Sequence, residues 1–204
     1  MGALIRNDNE RIVFAEAMSK KGYIRVQTWT APLASSATKI LAATALLVTT
    51  QPGYTTGLVN PDFPRNISIT GGFSGQAGNV VIHGTNIRGA VISETIALSG
   101  TATVVGAKAF ATVTSVDLPV YTNNGSDTVS VGIGVKLGLD RLLSNRFILM
   151  EAVDGTNEAI SAQVNSATAI ESNTVTTTTA PNASHNFAIC FVSTEIALAT
   201  QSTT

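Results

Sequence analysis

The stretch NVVIHGTNIRGAVISETIAL, residues 79–98, decides the fold. Val80 and Ile82 fall on one parity, Val81 and His83 on the other, and a period of two is that of a half-buried strand. GTNIRG follows at residues 84–89, with Asn86 and Gly89 suited to the unusual backbone angles of a hairpin loop. AVISETIAL then reads as the returning strand. Glu94 resists the pattern. It shares the parity of Ile92 and Ile96, so simple in-and-out alternation fails there, and a bulge or an edge facing a partner would explain it.

The same texture extends from Arg65 onward. Short runs of Val, Ile, Thr and Ala alternate with Gly and Asn clusters, as in an all-β sandwich or barrel. Further strands are expected at 66–70, 101–105, 109–116, 128–133, 146–153, 160–164, 173–178 and 186–193. Turns are expected at TGGFSGQAGN, SGT, TNNGSD, GIGVKLGLD, VDGTNEA and APNASHN.

Before Arg65 the pattern is irregular. Residues 8–18 carry Ile12, Ala15, Ala17 and Met18 at roughly helical spacing, with Gly22 as a stop, so a short helix is expected there. YIRVQTW alternates like a strand: Tyr23, Arg25, Gln27 and Trp29 share one parity, Ile24, Val26 and Thr28 the other. SSATKILAATALLVTT fits helix or strand. TTQPGYTTGLVNPDFPR, rich in Pro and Gly, reads as a loop or linker. The expected architecture is all-β, a sandwich of immunoglobulin-like or jelly-roll-like type over residues 65–204. An irregular arm over residues 1–64 precedes it.

The 204-residue chain is long enough for one domain with a real core. Hydrophobic residues make up 44%, whereas charged residues are 12%, about half the usual globular share of about 25%. With a net charge of −1 there is no basic excess to attract nucleic acid. Thr, Ser, Asn, Gly and Ala must therefore supply most of the surface, a composition suited to packing against copies of the same chain. The longest apolar run, ILAATALLV, is far below the roughly 20 residues that span a membrane. The first residues carry charges throughout and lack the apolar core of a secretion signal, so classical export is not expected.

Chemistry-bearing residues are sparse. His83, His185 and the single cysteine, Cys190, are too scattered for a short-spaced zinc site. His83, Asp117 and a serine can be drawn as a triad, but no GxSxG elbow supports it. GIGVKLG lacks the GK[ST] ending of a phosphate loop. TGGFSGQAG leads into a strand, so no helix N-terminus is available for phosphate. Asp117 with Glu94 is no more than a chance pair of acids for glycoside hydrolysis. Aromatic residues, at 5%, are few for a sugar or single-strand binder. Cys190, in the apolar run NFAICFV, reads as a small buried hydrophobe, and Trp29 as a packing anchor. Asn66, Asn124 and Asn182 occupy N-x-[ST] sequons. No enzyme activity, catalytic residue, metal or cofactor is expected. His83 reads as a strand residue beside a hairpin, facing solvent or a neighbouring subunit. At an interface, a histidine's unperturbed pKa of about 6.5 would make assembly sensitive to pH.

Three segments together carry a resemblance: NPDFPRNISIT, GNVVIHGTNIRGAVISETIALSGTATVVGAKAFATVTSVDLP and DTVSVGIGVKLGLD. Over roughly residues 44–176 the chain resembles a group of tailed-bacteriophage virion proteins described as head-fibre, head-decoration or capsid cement proteins. The resemblance brings no catalytic residues with it. It implies a β-rich structural subunit on the outer surface of the head, made in the host cytoplasm and binding the major capsid protein. Copies of itself, as a homotrimer at threefold positions, are the other expected partner, with no direct nucleic acid and no membrane. Residues 1–64 are then expected to be a capsid-docking or oligomerisation arm. A collar, tail or baseplate component is the first alternative, and a carbohydrate-binding receptor protein the second.

Overall fold

The computed structural model describes residues 11–12, 22–122, 127–160, 162–166, 168–193 and 195. Fifteen strands are present among them: β1 (Arg11–Ile12), β2 (Gly22–Trp29), β3 (Ser36–Ala45), β4 (Gln51–Tyr54), β5 (Arg65–Gly71), β6 (Asn79–Thr85), β7 (Val91–Ala97), β8 (Val104–Phe110), β9 (Thr112–Leu118), β10 (Thr128–Gly138), β11 (Leu143–Val153), β12 (Thr156–Glu158), β13 (Ala162–Val164), β14 (Thr174–Thr176) and β15 (Phe187–Ser193). One 3-10 turn, Ile170–Ser172, completes the inventory. The chain is all-β and sandwich-like, as its alternation predicts.

The strands form three sheets. Their orders are β1-β2-β15-β11-β12, β13-β14-β10-β5-β8 with β3 also on β10, and β4-β9-β6-β7. β6 and β7 pair from Asn79↔Ala97 to Thr85↔Val91 with no slip, so the decisive hairpin forms as read. Val80 and Ile82 are fully buried, while Val81 and His83 are half-buried on the opposite face.

Two cores are layered around β10. In the first, Ile67, Ile69, Val129, Val131 and Ile133 of the central sheet pack against Val80, Ile82, Val116 and Leu118 of the β4-β9-β6-β7 sheet. In the second, Trp29, Phe187, Ile189 and Phe191 pack against Leu137, Leu139 and Val175. β10 serves both, with its first half in one core and Leu137 in the other. Of GIGVKLGLD, expected as a turn, Gly132–Gly138 is therefore the second half of a long strand, and only Leu139 and Asp140 lie beyond it.

Arg65 and Asn66 explain how β10 is held there. Between Ile133 and Leu137, β10 advances four residues while β5 advances two, from Ile67 to Arg65. β8 bulges against the same part of β5, between Asn66↔Ala109 and Ser68↔Val105. Bulges leave ladder groups unpaired. Asn66 serves one on each side: Oδ1 accepts the Lys136 N–H at 3.0 Å, and Nδ2 donates to the Gly106 carbonyl at 3.1 Å. Arg65, with no exposed surface, donates Nε and Nη2 to the Gly134 carbonyl and Nη1 to the Leu33 carbonyl and Asp62. A Cβ on Gly134 would lie 2.3 Å from Asn66 Oδ1, which is why the strand carries glycine there.

The expected boundary at residue 64/65 is corrected. β2 lies between β1 and β15, β3 pairs with β10, and β4 pairs with β9, so residues 22–54 belong to the sheets. Their backbone groups are completed by strands far along the chain. The expected helix over residues 8–18 lies outside the described residues except at Arg11 and Ile12, which pair with Tyr23 and Gly22 as strand. The single strand expected over 109–116 is two, β8 and β9, meeting at Ala111, whose N–H bonds the Thr85 carbonyl at 2.8 Å.

Candidate functional site

Both histidines of the chain sit in the same kind of constellation. On the outer face of β6, His83 Nε2 lies 3.0 Å from Asp117 Oδ2 of β9, and Asp117 Oδ1 accepts the Gly53 N–H of β4 at 2.7 Å. At the β11–β12 turn, His185 Nδ1 lies 2.6 Å from Asp154 Oδ2, and Asp154 Oδ1 accepts the Asn186 N–H at 2.8 Å. Asp117 thus ties a histidine and a backbone amide from two further strands, whereas Asp154 holds a histidine and the amide of the next residue. The Gly53 amide, then His83, hold the Asp117 carboxyl below its ordinary range. The Asn186 amide, then His185, do the same for Asp154.

The structure brings His83 and Asp117 together, as a triad would require, but leaves the third member out. Ser93 and Ser115 flank His83 in register on β7 and β9. Among the described residues neither hydroxyl is hydrogen-bonded to the imidazole, so His83 and Asp117 stand as a pair and not as a triad. A His–Asp contact alone orients the ring and crosslinks strands. Asp117 and Glu94 lie on opposite faces of their sheet, Asp117 in register with Val81 and Glu94 with buried Ile82. They form no carboxylate pair.

Other sequence candidates resolve into framework. The Gly-rich loop TGGFSGQAG is filled by its own Gln76. Its Oε1 accepts the Gly72 N–H and its Nε2 donates to the Thr128 carbonyl. No cradle remains for a phosphate. Trp29 is a buried anchor, 2% exposed. Cys190 is half-buried rather than enclosed, on the outer face of β15 between Val26 and Met150, and burial pushes its thiol pKa up. Asn66 is buried with both amide atoms engaged, so its sequon is closed; Asn124 lies outside the described residues. Among the described residues no three potential ligands cluster around a metal position, and no helix is long and apolar enough to cross a membrane.

Open clefts among the described residues include two beside these elements. One, of about 430 Å3, lies beside Asp117 and is walled by Pro52, Val81, Leu118, Pro119 and Val120. The other, of about 340 Å3, lies over β5 and β10 between the start of β3 and β8. The sequence analysis missed this second cleft. Its one sequence-level signal is Ser68 on the outward parity of NISIT.

No family model matches this chain, no curated protein is significantly similar to it, and no solved structure matches it.

Proposed function

We propose that this chain is a structural protein of a tailed-bacteriophage particle, a decoration or cement protein on the outer surface of the head. The observation that carries the reading is where the residues of the resemblance fall. Arg65 and Asn66 of NPDFPRN, Gly106 of GAKAF and Gly134 of GIGVKLG meet at the double bulge around β5. A signature made of framework residues is consistent with a scaffold that works through its surface.

Cement proteins act by burying surface across neighbouring capsid subunits, a role that needs complementary faces and symmetry instead of a reaction centre. At about 25 cal/mol per Å2 of apolar area, modest contacts repeated over a shell add up. Exposed apolar side chains suited to such contacts include Val26, Val48 and Val91. The partners proposed are the major capsid protein and copies of this chain, as a homotrimer. The docking role first expected of residues 1–64 is proposed for residues 1–10 alone, because β1 to β4 are built into the sheets.

Immunogold labelling of intact particles with antibody against this chain tests the reading. Gold over the whole head supports decoration. Gold only at the collar or tail replaces it with the neck, tail or baseplate alternative, and absence of label on accessible particles overturns both.

A further inference from the structure

We infer that Asp154–Gly155, in the turn between β11 and β12, is a site of spontaneous aspartate isomerisation that the fold holds in check, with His185 as the positioning residue. It is the one Asp–Gly pair in the chain. The Gly155 backbone nitrogen attacks Cγ of the protonated Asp154 carboxyl. The N–Cγ bond forms, and the carboxyl hydroxyl leaves as water with the amide proton. Water then opens the succinimide at either carbonyl, returning aspartate or giving isoaspartate, whose backbone runs through Cβ and Cγ. Glycine leaves the attacking nitrogen unhindered, and both residues are exposed to the water that the second step consumes.

Asp154 is held at three atoms. Its N–H donates to the Asn186 carbonyl at 2.9 Å, Oδ1 accepts the Asn186 N–H at 2.8 Å, and Oδ2 lies 2.6 Å from His185 Nδ1. To present Cγ to the Gly155 nitrogen, the carboxyl must turn about Cα–Cβ, and both oxygens then lose partners, one of them a charge-assisted donor when the imidazole is protonated. The clamp is itself braced. Asn182 Oδ1 accepts the Ser184 and His185 N–H groups at 2.9 and 3.0 Å, the Ala183 N–H bonds the Pro32 carbonyl at 2.8 Å, and the His185 ring stands edge-on to buried Phe187. The Asn186 amide, then His185, hold the carboxyl below its ordinary range, so less of the reactive neutral acid is present at any given pH. The loop also has something to lose. Asp154 and Gly155 carry φ of 49° and 80°, the pair of left-handed residues that a two-residue type I′ hairpin loop requires. An isoaspartate adds an atom to that backbone and disturbs the Val153↔Thr156 pairing on either side.

The test is prolonged incubation of the full chain between pH 5 and pH 7, with isoaspartate at position 154 read by peptide mass mapping and by enzymatic methylation of isoaspartyl carboxyls. Wild type unfolded in urea should form it many times faster than the folded chain, a comparison that needs no variant. His185→Ala, aged at a temperature where circular dichroism shows it as folded as wild type, should form it several-fold faster. Its rate should also persist to higher pH, because the carboxyl regains part of its ordinary range. His185→Asn keeps a donor near the position of Nδ1 and should restore part of the protection. Equal rates in folded and unfolded wild type would overturn the assignment. So would a folded His185→Ala that ages no faster than wild type, or a His185→Asn that ages like His185→Ala. The measurement needs no particle, so its failure leaves the virion reading standing, and failure of the labelling experiment leaves this site standing.

Discussion

The Glu94 carboxylate lies over Gly106 and accepts the Ala107 N–H at 2.6 Å, with the Lys108 N–H also within reach. These amides belong to the β8 bulge, where pairing with β5 is interrupted. Lys108 Nζ returns a bond to the Ser93 carbonyl at 2.8 Å. The edges of two sheets, β7 and β8, are therefore closed on each other by side chains. Open sheet edges invite pairing with other chains, and closure removes that hazard.

Glu94→Ala should cost about 1–2 kcal/mol by leaving bulge amides without an acceptor. Hydrogen exchange at Ala107 and Lys108 should accelerate more than at the centre of β5. Gly106→Val should give the same exchange pattern with Glu94 intact, since a Cβ there meets Glu94 Oε2 at 2.4 Å and forces the carboxylate away. Unchanged exchange in both variants would show that the β7–β8 seam is held by something else.

Arg65→Lys should be more damaging. Lysine cannot supply the forked donors that reach the Gly134 carbonyl, the Leu33 carbonyl and Asp62 together, and it leaves a buried charge poorly paired. A loss of about 2–4 kcal/mol is expected in urea unfolding. Asn66→Ala should cost about 2–3 kcal/mol, stranding the Lys136 N–H and the Gly106 carbonyl. The double variant should lose less than the sum, because both residues serve one bulge.

These two sites show what was legible in the sequence. The β6–β7 hairpin was, since its alternation, loop chemistry and length agree. Glu94 was visible as an anomaly but not as a solution, because its partners lie on β8 and only pairing in space brings them near. β2 was legible as a strand, but which of its faces is inward was not. Its polar parity, Arg25 and Gln27, faces inward, and its apolar parity, with Val26 58% exposed, faces out. Gln27 explains this: Nε2 donates to the Gly138 carbonyl and Oε1 accepts the Asp140 N–H, clipping β2 to the end of β10. No local pattern encodes such long-range satisfaction. Of the candidate clusters, only the nearness of His83 and Asp117 could be drawn from the sequence. The Ser68 cleft needs the crossing of β3 over β10 to exist.

Acid should weaken the fold through Asp117 and Asp154. Both carboxyls titrate below the ordinary 3.8 in the folded chain. A depressed folded pKa gives stability that is fully present above the unfolded value and lost as pH falls through the folded one. The melting temperature should therefore drop as pH falls below about 4. The Asp117→Asn, Asp154→Asn double variant should melt lower than wild type at pH 7, and the gap should close towards pH 3. Both sites are substantially exposed, so the gap should be small and should shrink in high salt. A constant gap across that range would show that the carboxylates contribute through shape alone.

Truncation separates docking from folding. Removing residues 1–10 leaves all fifteen described strands in the chain, and if docking is their role the melting temperature should stay within about 2 °C of wild type. Removing residues 1–30 deletes β2 and Trp29, the latter buried in the second core, and exposes the edge of β15. Loss of a buried Trp side chain alone costs about 3–5 kcal/mol, and the strand's ladder bonds go with it. The 1–30 deletion should therefore lose near-UV circular dichroism. Particle binding lost with residues 1–10 while the fold persists would assign docking to the first residues. Binding retained would move the contact to the sheet faces, where Val26, Val48 and Val91 are exposed.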